Sequence, residues 1–413
     1  MPLDRREFLA AATSLAATAA LPPSSALPPS SVLPPSSALP PSSDDPLGIR
    51  ADFPLVLSRT FLNGAYITPA PRQSIAAAQA FVESRARPML VGDLLRKTGE
   101  VRAQFARLVN ALPEEIGFAF ATTEGENIVA NTVPMASGDN VVIDDLCYDG
   151  ALVIHRELER RRGIELRIAR NKDGAVRPED IAARVDRRTK LVSVAWVSHR
   201  NGYRHDLRAL ADIAHAHGAL LHTDAIQGVG TLSLDVRTAE VDFLCCGTYK
   251  GLLAGFGVAP LYVKRALLER IAPDRFGLFG VSRELPDHRF EVDATAGRYD
   301  YATLPFAEVH QLGAALTYLE AIGVARIEAH ILGLAKRMQE GLLGQGFRLF
   351  TPPGNKSSVV SFYITRPSAE VKAAFEAATI DVTVREDHVR ASVAIFNNAG
   401  EVDRLLAVTR RLA

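Results

Sequence analysis

The chain has 413 residues, 47% of them apolar and 23% charged, and its 47 basic and 47 acidic side chains leave no net charge. A chain this long exceeds one simple core, so two domains are expected. With no basic field to recruit nucleic acid or anionic lipid, a small molecule is the expected partner.

At the amino terminus, Asp4-Arg5-Arg6-Glu7-Phe8-Leu9 precedes a weakly apolar, alanine-rich run from Ala10 to Leu21. Paired arginines before such a run have the pattern of a twin-arginine export signal, assigned here to residues 1–20. The run is too short and too small-sided to span a bilayer as a permanent helix. A periplasmic or secreted destination is expected, with the twin-arginine export machinery as a partner. Near-identical six-residue units of paired prolines and serines follow, as in Leu21 to Ala26 and Leu27 to Val32. They cannot build a core and favour an extended chain, so residues 21–45 read as a spacer.

Beyond it, short apolar runs alternate with helical patterns. Val141–Ile143, Leu191–Val197, Ala219–His222, Phe243–Cys246 and Val258–Val263 read as buried strands. Gly150–Arg162 and Leu207–His217 carry apolar residues at helical spacing. This rhythm predicts an α/β fold with a mostly parallel sheet covered on both faces, and ligands beyond the carboxyl ends of its strands. The large domain is placed at 46–298. A smaller α/β carboxyl-terminal domain, 299–413, holds a long helical pattern over Leu312–Leu343, a strand at Val359–Ile364 and a closing helix at Glu401–Leu412.

The chemistry gathers at strand ends. Thr122-Thr123-Glu124-Gly125 follows the apolar run Phe118–Ala121 and opens a helical stretch. Free N–H groups and the helix dipole there suit a phosphate, although Thr and Glu in those places also suit an ordinary capping box. Asp224 ends one strand, with Gln227 three residues on. Lys250 follows Cys246-Gly247-Thr248-Tyr249 in a loop between two apolar runs, and a lysine buried there needs a partner. An amine able to form a Schiff base and a strand-end acid able to keep a ring nitrogen protonated are what pyridoxal 5'-phosphate (PLP) requires. The cysteines Cys147, Cys245 and Cys246 lie in or beside apolar runs with no disulfide framework, and neither they nor the histidines show a metal-ligand spacing.

From Thr60-Phe61-Leu62-Asn63-Gly64-Ala65 to the carboxyl end, the chain resembles the class V aminotransferase group of fold-type I PLP-dependent enzymes. That group also contains cysteine desulfurases, kynureninases and isopenicillin N epimerases. The resemblance implies that Thr122 and Thr123 hold the cofactor phosphate and that Tyr148 stacks on the pyridine face. His199 falls where relatives often carry an asparagine that contacts the ring oxygen. Asp224 and Gln227 match the acid and amide beneath the ring, and Lys250 matches the Schiff-base lysine; the hydroxyls and amides of Thr248 and Tyr249, just before it, are expected to contact the cofactor phosphate. Thr303 matches a threonine that reaches the phosphate of the neighbouring subunit, which implies a homodimer. Arg390 matches an arginine that clamps the substrate carboxylate, where a guanidinium bonds in two places.

Two departures stand out. Tyr249 occupies a position where many members have histidine, and 379–390 contains no cysteine, which disfavours a thiol-dependent desulfurase. The expected function is therefore transamination or epimerisation at the α-carbon of an amino-acid-like substrate. A carbon–sulfur lyase is the alternative, and a binding protein that has lost catalysis is the reading from another class.

Overall fold

A computed structural model describes residues 42–413. The expected export signal and most of the Pro/Ser spacer lie outside the described residues. The body is organised around a seven-stranded sheet. Its strands are β1 (Ile116–Ala119), β2 (Asn140–Asp144), β3 (Glu165–Ala169), β4 (Thr189–Ala195), β5 (Leu220–Asp224), β6 (Phe243–Cys245) and β7 (Ala259–Val263). They lie in the order β1-β7-β6-β5-β4-β2-β3. β7 is antiparallel to both neighbours, and every other adjacent pair is parallel.

The strands are near-continuous apolar runs because the sheet is covered on both sides. Alternate residues of one strand enter different cores. Val141 and Ile143 pack with Ile128, Leu158 and Leu261 on one face, while Val142 packs with Val192, Leu221 and Leu244 on the other. The helices of the first half are α1 (Arg72–Ser84), α2 (Val91–Val109), α3 (Thr122–Thr132), α4 (Asp149–Arg162), α5 (Pro178–Ala182) and α6 (Leu207–His215). α3 and α4 supply the first of those faces. Because the parallel strands point one way, the loops after β2, β4, β5 and β6 all leave from a single edge.

The chain continues through α7 (Arg265–Leu268), an antiparallel hairpin of β8 (Val281–Leu285) and β9 (Arg289–Val292), and the helices α8 (Phe306–Ile322) and α9 (Val324–Gly344). The single helical pattern read across Leu312–Leu343 is thus two helices. Gly323, with φ at 88°, breaks it, a backbone state that side-chain-bearing residues rarely adopt. A second sheet follows, in which β12 (His388–Ser392) pairs antiparallel with β10 (Val359–Tyr363) on one side and β11 (Thr383–Val384) on the other. Helices α10 (Ser368–Ala377) and α11 (Ala399–Thr409) complete this region. The amino-terminal stretch is tied to it: Thr60–Phe61 pairs parallel with Ile380–Asp381, and Asn63 bridges to Ser392. That pairing carries Asn63, Gly64 and Ala65 to the edge where the loops of the larger sheet emerge.

Candidate active site

Asp224 is the last residue of β5 and is buried. Its Oδ1 accepts the N–H of Ile226 at 2.9 Å, and no other hydrogen bond from the described residues reaches this carboxylate. Burial pushes its pKa up to about 6, while the Ile226 N–H and the nearby Lys250 ammonium pull it back. Lys250 stands in the loop after β6. Burial lowers its amine to about 8, Arg390 pushes the same way, and Asp224 resists. Each of the two groups thus shapes the titration of the other, one at the end of β5 and one in the loop after β6.

The loop that carries Lys250 is pinned from several sides. Gly247 N–H donates to Thr122 Oγ1 at 2.8 Å, which joins this loop to the start of α3. A Cβ on Gly247 would stand 2.8 Å from that same oxygen and 2.8 Å from Ile226 Cδ1, so only glycine lets the segments approach this closely. Ala121 is the residue before α3, and it offers no side-chain cap. Glu124 instead reaches back to the N–H of Phe120. Neither threonine caps the helix, and its first N–H groups remain free for an anion. Thr123 is exposed at this cradle and Thr122 half-buried.

Opposite the helix, the ring of Tyr148 is 49% exposed and meets His199 edge-on, with centroids 5.3 Å apart. His199 is pressed down to about 3 by burial and then by Arg200, Arg390, Lys250 and Arg385, so it is a neutral imidazole. Its Nδ1 is buried without a hydrogen-bond partner. Arg390 is buried; its Nη1 donates to His199 O at 2.7 Å and its Nη2 to Thr383 Oγ1 at 3.2 Å, while Nε has no partner. Gln227 lines a small cavity with Lys250, Gly64 and Thr68, and its Nε2 donates to Ala65 O at 2.9 Å.

Two residues sit differently from expectation. The hydroxyl of Thr248 is buried and committed to the carbonyls of Gly255 at 2.6 Å and Val258 at 3.1 Å. It therefore fastens the loop and is not free to reach a phosphate. Tyr249 stacks on Phe256 at 4.5 Å with Lys250 Nζ 5.7 Å from its ring centre, so it forms a wall beside the amine. Thr303 is exposed on the Tyr301–Pro305 loop and joins no other predicted residue within this chain. Sequence reasoning missed the supports. Thr383 bonds both Arg390 and Asn63. Arg275 and Tyr301 both hold Glu124 at the cradle. Asn63 lies far from Thr383 in sequence, and Arg275 and Tyr301 lie far from Glu124, while Thr383, seven residues before Arg390, carries no motif that marks it.

The model of the Aminotransferase class-V family matches residues 61–405. The chain belongs to this family. It is similar to a probable cysteine desulfurase of Methanothermobacter thermautotrophicus, 27% identical over 86% of this chain and 95% of that one. A cysteine desulfurase of Salmonella typhimurium is 29% identical over 88% of this chain and 97% of its own length. Among solved structures, the apo cysteine desulfurase of Thermococcus onnurineus superposes with a TM-score of 0.82 at 25% identity, covering 90% of this chain and 99% of that one. A cystine C–S lyase in complex with its product cysteine persulfide shares the fold, with a TM-score of 0.81 at 19% identity over 87% of this chain and all of that one.

The fold is that of fold-type I PLP-dependent enzymes, and PLP is the family's cofactor. The residues present fit it. Free N–H groups at α3 suit its phosphate, the open oxygen of Asp224 suits its ring nitrogen, and Lys250 is an amine lowered to about 8 by burial. His199 Nδ1 and Arg390 Nε are buried polar atoms of this region that lack a partner among the described residues.

Proposed function

We propose that this chain is a PLP-dependent lyase that breaks the carbon–sulfur bond of a cysteine-derived amino acid without using a thiol of its own. The desulfurase relatives favour carbon–sulfur chemistry over the transamination or epimerisation expected first from the sequence. The observation that carries the proposal is the placement of the thiols. All three cysteines are buried: Cys245 and Cys246 sit in or just after β6, and Cys147 lies before α4. Burial raises each of them above the ordinary thiol range, the opposite of an activated nucleophile. With none in 379–390, no thiol faces the substrate side to take up sulfur.

When bound, PLP supplies an electron sink for a carbanion at the substrate α-carbon. The chain does the rest. Arg390 would bind the substrate carboxylate through its unclaimed N–H groups and so orient the substrate's α-carbon. Lys250, as the neutral amine, would take the α-proton, and Asp224 would keep the cofactor's ring nitrogen protonated. Tyr148 covers one face. The Cβ–S electron pair then leaves with sulfur, which takes a proton and departs as a thiol. Water converts the remaining carbons to pyruvate and ammonia, so one conjugate and one water give one thiol, one pyruvate and one ammonia.

Thr303, exposed and without a role inside its own chain, is assigned to the neighbouring subunit's phosphate cradle in a homodimer. Export through the twin-arginine route remains part of the proposal, and fractionation of cells expressing Arg5→Lys/Arg6→Lys tests it. The main test offers purified protein L-cysteine, L-cystine and S-substituted cysteines, with pyruvate, alanine, free thiol and protein-bound persulfide measured together. Pyruvate and thiol in equal amounts are expected. Alanine matched by protein-bound persulfide overturns the lyase reading, and an oxo acid that retains its sulfur restores transamination.

A further inference from the structure

Behind Asp224 lies a second carboxyl group that the mechanism above leaves unused. Glu126 sits on α3, one turn in from the phosphate cradle, and is only 5% exposed. Its Oε2 is sealed from solvent and has no hydrogen-bond partner. A buried, unpartnered carboxylate is costly, so a carboxyl in this state is expected to keep its proton. The fold explains how it comes to stand beside Asp224. Gly125, its neighbour on α3, is pressed onto β6 so tightly that a Cβ there would lie 2.6 Å from Cys245 Cβ, and Cys245 is the register partner of Asp224 on β5.

We propose that Glu126 is a proton-carrying partner of Asp224, and that the two acids together present a single negative charge to the ring nitrogen of the cofactor. Glu126 touches no reacting atom; it is a positioning residue that acts through Asp224. The reason is electrostatic: two close carboxyl groups shielded from water do not both ionise, so a proton stays on one of them. Asp224 is the one near the Lys250 ammonium and takes the Ile226 N–H, which stabilise its anion. Glu126 has neither, and burial together with the charge of Asp224 holds its pKa well above the ordinary range. The other titratable groups around the pair do not supply a compensating cation. Cys245 and Cys246 on β6 and Cys147 before α4 are neutral thiols. His222 on β5 and His155 on α4 are held neutral by burial, at about 3 and about 4. A lone carboxylate at the ring nitrogen would make the site depend on one acid's titration; a shared proton keeps its charge at minus one across a wide pH range.

The inference rests on Asp224 facing the ring nitrogen, so the test separates that reading from the proton on Glu126. Infrared pH-difference spectra are recorded on cofactor-free wild type, Glu126→Gln and Asp224→Asn, each checked for folding by circular dichroism. Wild type is expected to show a protonated-carboxyl stretch that persists above pH 7.5, that Glu126→Gln removes, and whose midpoint falls by at least a tenfold change in proton affinity in Asp224→Asn. Identical wild-type and Glu126→Gln spectra at pH 7.5 overturn the proton on Glu126. An unmoved midpoint in Asp224→Asn overturns its pairing with Asp224. Addition of PLP to the same samples tests the underlying site: failure of wild type to develop the visible band of a lysine-bound cofactor refutes that reading without bearing on the infrared result.

Discussion

The state of the Lys250 amine gives the sharpest quantitative expectation. Capture of PLP by the cofactor-free protein needs the neutral amine, and the site holds this lysine at about 8 against an ordinary 10.5. At pH 7 about a tenth of such amines are neutral, against on the order of one in 3,000 for an ordinary lysine, a ~300-fold advantage. Capture is therefore expected to accelerate as pH rises through about 8 and to level off above it. The causes give opposite signs for two variants. Asp224 favours the charged amine, so Asp224→Asn should move the midpoint below 8. Arg390 disfavours it, so Arg390→Met should move the midpoint up. The assay mixes cofactor-free protein with PLP across a pH series, traps the adduct with borohydride at timed intervals, and quantifies the modified Lys250 peptide by mass. A wild-type midpoint near the ordinary lysine value, or both variants shifting in the same direction, would refute the electrostatic reasoning.

Three further outcomes follow from the same geometry. Arg390→Met should lower kcat/KM by about 2–5 kcal/mol, ~30- to several-thousand-fold, mostly through KM; Arg390→Lys should recover only part of this, because an ammonium lacks the planar fork. Steady-state kinetics on one cysteine conjugate checks both. Gly247→Ala places a methyl 2.8 Å from Thr122 Oγ1 and Ile226 Cδ1, so the lysine loop and α3 must separate. An overpacking cost of about 1–3 kcal/mol should appear as a rise of about five- to 150-fold in the PLP dissociation constant by fluorescence titration. Lys250→Ala and Thr303→Ala should each be inactive or severely impaired as pure homodimers. Co-expressed, they should regain activity in the mixed dimer, because one of its two sites then has Lys250 from one subunit and Thr303 from the other. No recovery in an isolated mixed dimer removes Thr303 from the partner's site.

How far the sequence reaches depends on how local each feature is. The buried parallel strands were legible because both faces are covered, so apolar residues run together in β2, β4, β5 and β6, as in Val141–Ile143 and Leu220–Leu221. β3 was not, because it lies at the sheet edge and alternates exposed Glu165 with buried Leu166. The break between α8 and α9 was missed because the periodicity continues through it, and only the positive φ of Gly323 shows the turn. At the site, the residues proposed to meet the cofactor stood out because they lie at or just after strand ends: Asp224, Lys250, the threonines of α3 and Tyr148. What holds them was hidden because it depends on how separate strands pair. Arg390 depends on Thr383 and on Asn63, which arrives through the pairing of Thr60–Phe61 with Ile380–Asp381. Thr248 illustrates the converse error. Its place beside Lys250 suggested ligand contact, yet its hydroxyl closes a turn onto Gly255 and Val258. Glu126 lies between these cases. In sequence it is one more acid in a helix, and only the seating of Gly125 against Cys245 gives it a neighbour with which to share a proton. A residue that contacts the ligand can therefore be read from its position on an element. One that tunes such a contact requires knowing how two elements meet.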